Sequence, residues 1–412
     1  MSPYKPKAVQ DPYDDFLEQA ARLKTWCRHA LRFWAERAAD PRGGYAEHLN
    51  MAGVPDFDHL RRVRVQTRQA YVYAHAAHVG WYEEAKPACD HAWDFLTGPG
   101  FGGGDFIAAS SVACPLGAKG CAHLVRGDGA INDDMRDLYA QAFVLLAGAW
   151  RYRAFGDEAA LSIARETLGF INKYMAAPNG GWYEALPPSE SITRRQNPHM
   201  HLFEAMLALY QATHDKFYLG YADDLFNLFK TVFFHEPTGG VLEFFTRDWQ
   251  PEQGNDNAAG GPLERGHMME WCWLLRSYEK ASGVDVSLYA NALFDGAIKM
   301  GWNEKLELIC NSVHIDGRAA NSNLRSWSQT ELIKASIAQA AAGDMDKLVY
   351  ASAAIRSMFN TYLNVEVLGG WADELDASGR IISTTMPTST FYHYFCAATE
   401  VDSLAQTLQT MP

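Results

Sequence analysis

The chain has 412 residues, of which 48% are hydrophobic and 13% aromatic, and its formal net charge at pH 7 is −13. This composition predicts a globular fold with a large core and excludes an intrinsically disordered chain. The acidic balance, with no basic stripe, argues against nucleic-acid binding. The chain also lacks a run of about 18 apolar residues, so we expect no membrane span.

The beginning of the chain has no apolar segment of the kind found in signal peptides. Its seven cysteines include no CxxC pair and no zinc-like spacing to histidine. We therefore expect a reduced protein in the cytoplasm, with no metal and no cofactor.

Ten segments carry apolar residues at spacings of three and four, which predicts amphipathic helices. In chain order they are 14–39, 63–79, 137–155, 158–176, 201–214, 219–234, 267–282, 285–299, 328–342 and 345–361. The second segment begins in the one dense basic cluster, Arg61, Arg62, Arg64 and Arg68, which we expect to be mostly solvated surface because its members spread over several helical faces.

Gly-rich turns punctuate the helices near residues 43, 102, 180, 239, 301 and 369, at intervals between 59 and 78 residues. In four of them an acid follows the first glycine by four residues, namely Glu47, Glu184, Glu243 and Asp373. Two irregular stretches, 100–134 and 247–266, are long for plain connections and are expected to cover a site.

The repeated unit is therefore helix, loop, helix and Gly-rich turn, and it recurs six times. Six helical hairpins that close on themselves form an all-α (α/α)6 barrel, with the Gly-rich turns or short hairpins on one rim. We predict one catalytic domain over residues 1–412, with its core at about 15–400. Alternate helices would form an inner ring whose N-terminal ends surround a pocket.

Four polar residues recur in phase with this unit. Arg68, His201, His267 and His393 are separated by 133, 66 and 126 residues, which is one or two repeats. Equivalent positions in a closed ring point at one place, so we expect these side chains to converge. The alternative for His393, which lies among aromatic residues, is an ordinary core histidine.

Two of these histidines precede a glutamate by three residues, as His201 with Glu204 and His267 with Glu270. Residues three apart share a helical face, and a carboxylate can orient an imidazole and raise its pKa. Such a pair suits general acid–base catalysis, although a surface ion pair has the same spacing. His199 and His201 could both bind a metal only on a strand, since on a helix they diverge.

Three further residues are weaker candidates. Trp327 could stack on a sugar face or belong to the core, and Tyr139 and Asn197 could line the pocket. A buried arginine such as Arg68 needs an anionic or hydroxyl-rich partner.

Six segments together resemble one family. They are VQTRQAY at 65–71, DLY at 137–139, NPHMHLFEA at 197–205, RGHMMEW at 265–271, RSWSQTE at 325–331 and FYHYF at 391–395. This ordered set, which spans about residues 15 to 400, is similar to the N-acylglucosamine 2-epimerase superfamily. That superfamily includes acylglucosamine and cellobiose 2-epimerases and mannose and sulfoquinovose isomerases. The resemblance implies an (α/α)6 barrel and a reaction that needs no metal.

The resemblance also implies roles for individual residues. Arg68 would bind the reacting sugar oxygens, His201 would contact the sugar, and His267 and His393 would be the acid–base pair, with Glu270 orienting His267.

Asn197, Tyr139 and Trp327 would line the pocket. The disaccharide and acylglucosamine epimerases carry paired tryptophans where this chain has Ser326 and Trp327, and this departure favours a monosaccharide.

We therefore predict a sugar isomerase that acts on an unmodified monosaccharide such as D-mannose through ring opening and a cis-enediolate. The partner is a small-molecule sugar, and a homodimer is left open. One alternative is an N-acylglucosamine or cellobiose 2-epimerase. Another is a glycoside hydrolase that uses Glu204 and Glu270 as its two carboxyls, and a third is a non-catalytic carbohydrate-binding protein.

Overall fold

The computed structural model describes residues 5–7, 9, 11–102, 120–188, 193–252 and 260–410. Within these residues the chain forms twelve α-helices. They are α1 Pro12–Arg37, α2 Val63–His78, α3 Ala85–Thr97, α4 Leu138–Phe155, α5 Glu158–Phe170, α6 Gln196–Thr213, α7 Lys216–Leu228, α8 Arg265–Ser282, α9 Ser287–Gly301, α10 Ser326–Ala341, α11 Leu348–Asn360 and α12 Phe391–Thr410.

The even-numbered helices pack side by side in a closed ring, in which α12 returns to contact α2. The odd-numbered helices pack outside this ring, each against an inner neighbour. Inner helices such as α4 bury residues on nearly every face, whereas outer helices such as α5 bury one apolar face. This is the predicted (α/α)6 barrel.

Ten of the twelve helices correspond to predicted segments, and the differences have local causes. The apolar spacing does not predict α3, whose first turn contains Pro87, or α12, which begins in an aromatic run. Helix α6 begins at Gln196, five residues before the predicted start at 201. Pro198 is tolerated there because N–H groups in the first turn have no partner within the helix.

Short antiparallel strands join the loops before the inner helices. Those described are β1 His48–Asn50, β2 Arg61–Arg62, β3 Leu124–Val125, β4 Ile131–Asp133, β5 Arg136–Asp137, β6 Ala185–Leu186, β7 Arg194–Arg195, β8 Phe234–His235, β9 Gly240–Val241, β10 Phe244–Phe245, β11 Leu263–Glu264, β12 Trp302–Asn303, β13 Leu308–Ile309, β14 Ser312–Val313, β15 Ala319–Asn321, β16 Leu324–Arg325, β17 Glu374–Leu375 and β18 Thr385–Pro387. Each inner helix from α2 to α10 follows directly on a strand, namely β2, β5, β7, β11 or β16. Strand β1 pairs with β18, with His48 opposite Pro387, and so joins the first hairpin to the last.

The Gly-rich turns within the described residues lie on this rim, and the acids that follow two of them bind the chain just before an inner helix. Glu47 accepts a hydrogen bond from the backbone N–H of Arg62 at 2.9 Å, and Glu184 accepts one from that of Arg195 at 3.1 Å. Both donors immediately precede an inner helix. The turn at Gly239 requires glycine, because its φ is +62° and a Cβ would lie 2.7 Å from a backbone oxygen.

Both irregular stretches fall partly outside the described residues, since 100–134 includes 103–119 and 247–266 includes 253–259. The Gly-rich turn near 102 also continues into 103–119. Whether these stretches cover the site therefore stays a prediction.

The basic cluster is not the solvated surface that we expected. Arg61 is fully buried and paired with Asp40, Arg62 is paired with Glu47, and Arg68 is only 5% exposed. Each of these three guanidinium groups has a hydrogen-bond or ion-pair partner, without which its burial would be costly.

The six cysteines within the described residues are free thiols. None of the described helices has the length and apolar character needed to cross a membrane. The cytoplasmic location and the homodimer stay predictions.

Candidate active site

A central cavity of about 430 Å³ lies at the N-terminal ends of the inner helices. All eight residues that the sequence singles out line it. They are Arg68 on α2, Tyr139 on α4, Asn197 and His201 on α6, His267 and Glu270 on α8, Trp327 on α10 and His393 on α12. The repeat therefore places one or two of them on each of the six inner helices.

Arg68 is held by neighbours on both sides. Its Nη1 donates to the backbone oxygen of Ser389 at 3.1 Å, and its Nη2 donates to the hydroxyl of Tyr139 at 2.6 Å. The guanidinium carbon also lies 4.5 Å from the ring centre of Phe143 and 4.8 Å from that of Tyr392. No carboxylate of the described residues forms an ion pair with it, so its positive charge is available to an oxygen in the cavity.

His267 lies between a carboxylate and an amide. Its Nδ1 donates to Oε1 of Glu243 at 2.9 Å, and its Nε2 lies 3.1 Å from the side-chain amide of Asn197. Burial lowers the pKa of this ring, but the charges of Glu243, Glu264 and Glu270 outweigh burial and raise it to about 9. The atom of Asn197 nearest to Nε2 is Nδ2, and its Oδ1 has no hydrogen-bond partner among the described residues. Because a protonated ring donates from both nitrogens, the carboxamide turns over when His267 is charged, so that Oδ1 accepts from Nε2.

His393, in contrast to His267, has a neutral ring. Its Nδ1 donates to Oε1 of Glu331 at 2.7 Å, which leaves Nε2 as the unprotonated nitrogen of the neutral ring. Burial and the nearby charges of Arg68 and Lys334 hold the pKa of His393 well below its usual range. At neutral pH His267 is therefore charged, whereas His393 is neutral.

Trp327 separates the two histidines. Its ring centre lies 5.2 Å from that of His267 and 5.6 Å from that of His393. The indole packs over Gly266, where a Cβ would lie 2.3 Å from the indole ring. Glycine at this position therefore permits the close approach of α8 to α10 that places Trp327 between the histidines.

His201 lies deeper, in a buried acidic cluster. Its Nδ1 donates to Oε2 of Glu204 at 3.0 Å, as the three-residue spacing predicts, and Glu204 also accepts a short hydrogen bond from Tyr392. Burial lowers the pKa of His201. Glu270 is fully buried beside this pair, and its Oε1 has no hydrogen-bond partner among the described residues.

Within the part of the chain that the structure describes, two sets of donor atoms in this cluster are close enough to hold a metal. They are His201, Glu204 and Glu270 in one set and Glu270, Glu331 and His393 in the other, with the atoms of each set within 4.8 Å of one another. The ammonium of Lys334 lies 2.7 Å from Glu331 and already supplies a positive charge to these carboxylates.

The structure corrects one predicted contact. Glu243, and not Glu270, forms the hydrogen bond to His267. Although Glu270 is one helical turn from His267, it faces the deeper cluster around His201 and His393. The sequence signal that could have found Glu243 is its place four residues after Gly239, in the repeated Gly-rich turn.

Sequence reasoning also missed Glu331, which holds His393. Glu331 follows Trp327 by four residues, so a shared helical face was a usable signal. His199 behaves as the helical geometry predicts, because it is buried outside the cavity and bonds the backbone of Arg195 and Trp182.

Comparison with known proteins defines the class of this barrel as a sugar isomerase or epimerase. A profile of the family described as N-acylglucosamine 2-epimerase (GlcNAc 2-epimerase) matches residues 43–397. The chain belongs to this family and is therefore an enzyme that acts on small-molecule sugars.

Three relatives illustrate the similarity. A mannose-6-phosphate isomerase of Rhizobium meliloti (strain 1021) is 32% identical over 93% of this chain and 97% of its own length. A D-mannose isomerase of Marinomonas mediterranea is 29% identical over 50% of this chain and 55% of its own length. The solved cellobiose 2-epimerase of Spirochaeta thermophila matches with a TM-score of 0.81 at 21% identity, covering 98% of this chain and 100% of that one, which supports the fold.

Proposed function

We propose that the barrel is one catalytic domain that interconverts an aldose and a ketose, with D-mannose as the favoured sugar. The observation that carries this proposal is the pair of histidines in opposite protonation states on either side of Trp327. A proton donor and a proton acceptor that face one small cavity are what proton transfer between C2 and C1 requires.

The proposed reaction begins with ring opening, in which the protonated His267 donates to the ring oxygen as the bond between C1 and that oxygen breaks. His267 then takes up the proton of the C1 hydroxyl, whose oxygen becomes the carbonyl. Nε2 of neutral His393 then removes the proton from C2, and the electron pair of that bond forms the C1–C2 double bond of a cis-enediolate. Arg68 stabilises the negative charge that develops on the sugar oxygens. The proton on His393 then returns to C1, the hydroxyl proton on the C2 oxygen passes to the C1 oxygen, and the C2 oxygen becomes the carbonyl of the ketose.

The choice of mannose rests on relatives, including the D-mannose isomerase described above. The absence of a second tryptophan beside Trp327 is weaker evidence for a monosaccharide substrate than we expected. Ser326, which stands at that position, is buried beside Asp373 and does not line the cavity. Cellobiose 2-epimerase chemistry is the alternative within the family, since the same enediolate is reprotonated at C2.

A second candidate substrate is mannose 6-phosphate. The 32% identical relative carries that name, and four arginines line the cavity besides Arg68, namely Arg62, Arg64, Arg195 and Arg325. Arg64 reaches its nearest carboxylate, Asp137, only at 3.8 Å. A guanidinium without a close carboxylate could pair with the phosphate of a substrate.

A substrate panel separates these candidates. The protein is incubated with mannose, mannose 6-phosphate, cellobiose and N-acetylglucosamine, with and without EDTA, and products are identified by chromatography and NMR. We expect ketose from mannose, unaffected by EDTA because His267, His393 and Arg68 supply the chemistry. A higher kcat/KM for mannose 6-phosphate that Arg64→Met selectively removes would favour the second candidate. Release of glucose from cellobiose, with no isomer or epimer of any sugar, would contradict the proposal.

A further inference from the structure

Below the cavity, three side chains on one face of α10 follow each other inwards. Trp327 lines the cavity, Glu331 lies one turn deeper, and Lys334 lies almost one turn deeper again. Glu331 and Lys334 are both 0% exposed, and Nζ of Lys334 lies 2.7 Å from Oε2 of Glu331. The other oxygen of Glu331 accepts the hydrogen bond from His393 at 2.7 Å. A continuous chain of contacts therefore joins Lys334 to the imidazole.

Lys334 is enclosed on its remaining sides. Its ammonium lies 3.7 Å from the ring centre of Trp273 on α8 and 5.8 Å from that of Tyr392 on α12. A buried lysine is costly unless it is paired, and among the described residues Lys334 is the only lysine or arginine that forms an ion pair with Glu331. Nothing in the proton transfer itself uses this amine.

The surroundings of Glu331 act on its pKa in opposite directions. Burial and the charge of Glu270 raise the pKa of Glu331, and the ammonium of Lys334 acts against that rise. Although burial lowers the pKa of Lys334, Glu331 and Glu270 raise it above its ordinary value, so that the amine stays charged. The charged or titratable groups that face His393, Glu331 and Lys334 are Arg68 on α2, His201 and Glu204 on α6, Glu270 on α8, Arg325 before α10, and Tyr392, Cys396 and Glu400 on α12.

We propose that Lys334 is a positioning residue that selects the tautomer of His393, a role that rests on the proposed function of that histidine as the base. The ammonium of Lys334, 2.7 Å from Oε2, favours the carboxylate form of Glu331. A carboxylate can only accept a hydrogen bond, so the proton of the imidazole stays on Nδ1 and Nε2 is free. Without Lys334, Glu331 takes up a proton and donates it towards Nδ1. The imidazole proton then moves to Nε2, and the nitrogen that faces the sugar is blocked.

The test uses Lys334→Met, which keeps the length of the side chain and its packing on Trp273. We expect kcat to fall between about 10-fold and 10⁴-fold, the upper figure being the cost of a misoriented imidazole in the serine-protease triad, with KM nearly unchanged. Glu331→Gln should cause a similar loss, because Lys334 donates to the new amide oxygen and the amide NH2 faces His393. The double variant should lose no more than Glu331→Gln alone. Glu400→Gln, which removes another carboxylate near Lys334, is the matched control and should leave kcat unchanged.

A second readout does not depend on the substrate. In protein labelled with ¹⁵N-histidine, the signal of His393 is assigned by its loss in His393→Phe. We expect the Nδ1–H tautomer in the wild type and the Nε2–H tautomer in Lys334→Met, even if no tested sugar is converted, so failure of the proposed function is recognised separately. An unchanged tautomer in Lys334→Met, or additive losses in the double variant, would overturn the proposal. If Lys334→Met does not fold, an unchanged tautomer in Glu331→Gln would do the same.

Discussion

Replacement of His393 by phenylalanine is expected to abolish measurable turnover while the fold remains intact. Loss of a general acid or base typically costs about 10²–10⁴-fold in rate, and phenylalanine retains the ring volume among the surrounding aromatic residues. The measurement is kcat on each sugar that the wild type converts, together with the thermal unfolding midpoint Tm of the variant.

The matched control is His75→Phe. His75 is also a buried histidine with a pKa well below its usual range, held there by burial, and its ring centre lies 3.7 Å from that of Trp150, outside the cavity. This control should retain kcat even if it loses some stability. Near-normal kcat in the His393 variant on every substrate would make His393 an ordinary core residue and remove it from the mechanism.

The second large effect is expected for His267. Replacement by phenylalanine removes the proton donor for ring opening, and kcat/KM for the ring form of the sugar should again fall by about 10²–10⁴-fold. In the wild type, the pKa of about 9 keeps His267 protonated at neutral pH. Activity should therefore fall as the pH rises through about 9, because the ring loses its proton there.

Glu243→Gln tests the cause of that raised pKa. Because Glu243 contributes the largest charge that raises the pKa of His267, its loss should move the basic limb of the pH–rate profile to lower pH. Glu270→Gln should move this limb less, since Glu270 is the weaker of the two contributors. Glu184→Gln is the control, because it removes the equivalent acid of another Gly-rich turn, where the ion-pair partner is Arg194 and not His267. This variant should leave the basic limb of the pH–rate profile unchanged. A larger shift with Glu270→Gln than with Glu243→Gln would contradict the assigned contacts.

Most of the fold was predictable because it repeats. The three-and-four apolar spacing identified ten of the helices, and the recurring Gly-rich turns indicated six hairpins and so a closed barrel. Helix α3, whose short apolar pattern includes Pro87, was not predicted, and helix α6 begins before its predicted start at 201, in a first turn that contains Pro198. In both helices the proline lies in the first turn, where a missing N–H breaks no hydrogen bond.

The candidate site was predictable only as far as the repeat could place it. Arg68 and the three histidines line one cavity because equivalent positions of a ring face its axis. The partner of His267 was assigned wrongly, because spacing along one helix cannot show that Glu243 approaches from the preceding hairpin. Lys334 had no usable signal, since a lysine in an amphipathic helix is ordinarily solvated and its burial depends on the packing of α8 and α12.

The most direct test of the central claim, proton transfer at C2, is the fate of deuterium in mannose and mannose 6-phosphate labelled at C2. Each sugar is incubated with the wild-type enzyme and with His393→Phe, and the recovered aldose and ketose are analysed by NMR. We predict that the wild type forms ketose and moves the deuterium from C2 to C1 or to the solvent, and that His393→Phe leaves the label at C2. Wild-type enzyme that forms no ketose and leaves all deuterium at C2 of both sugars would contradict the account.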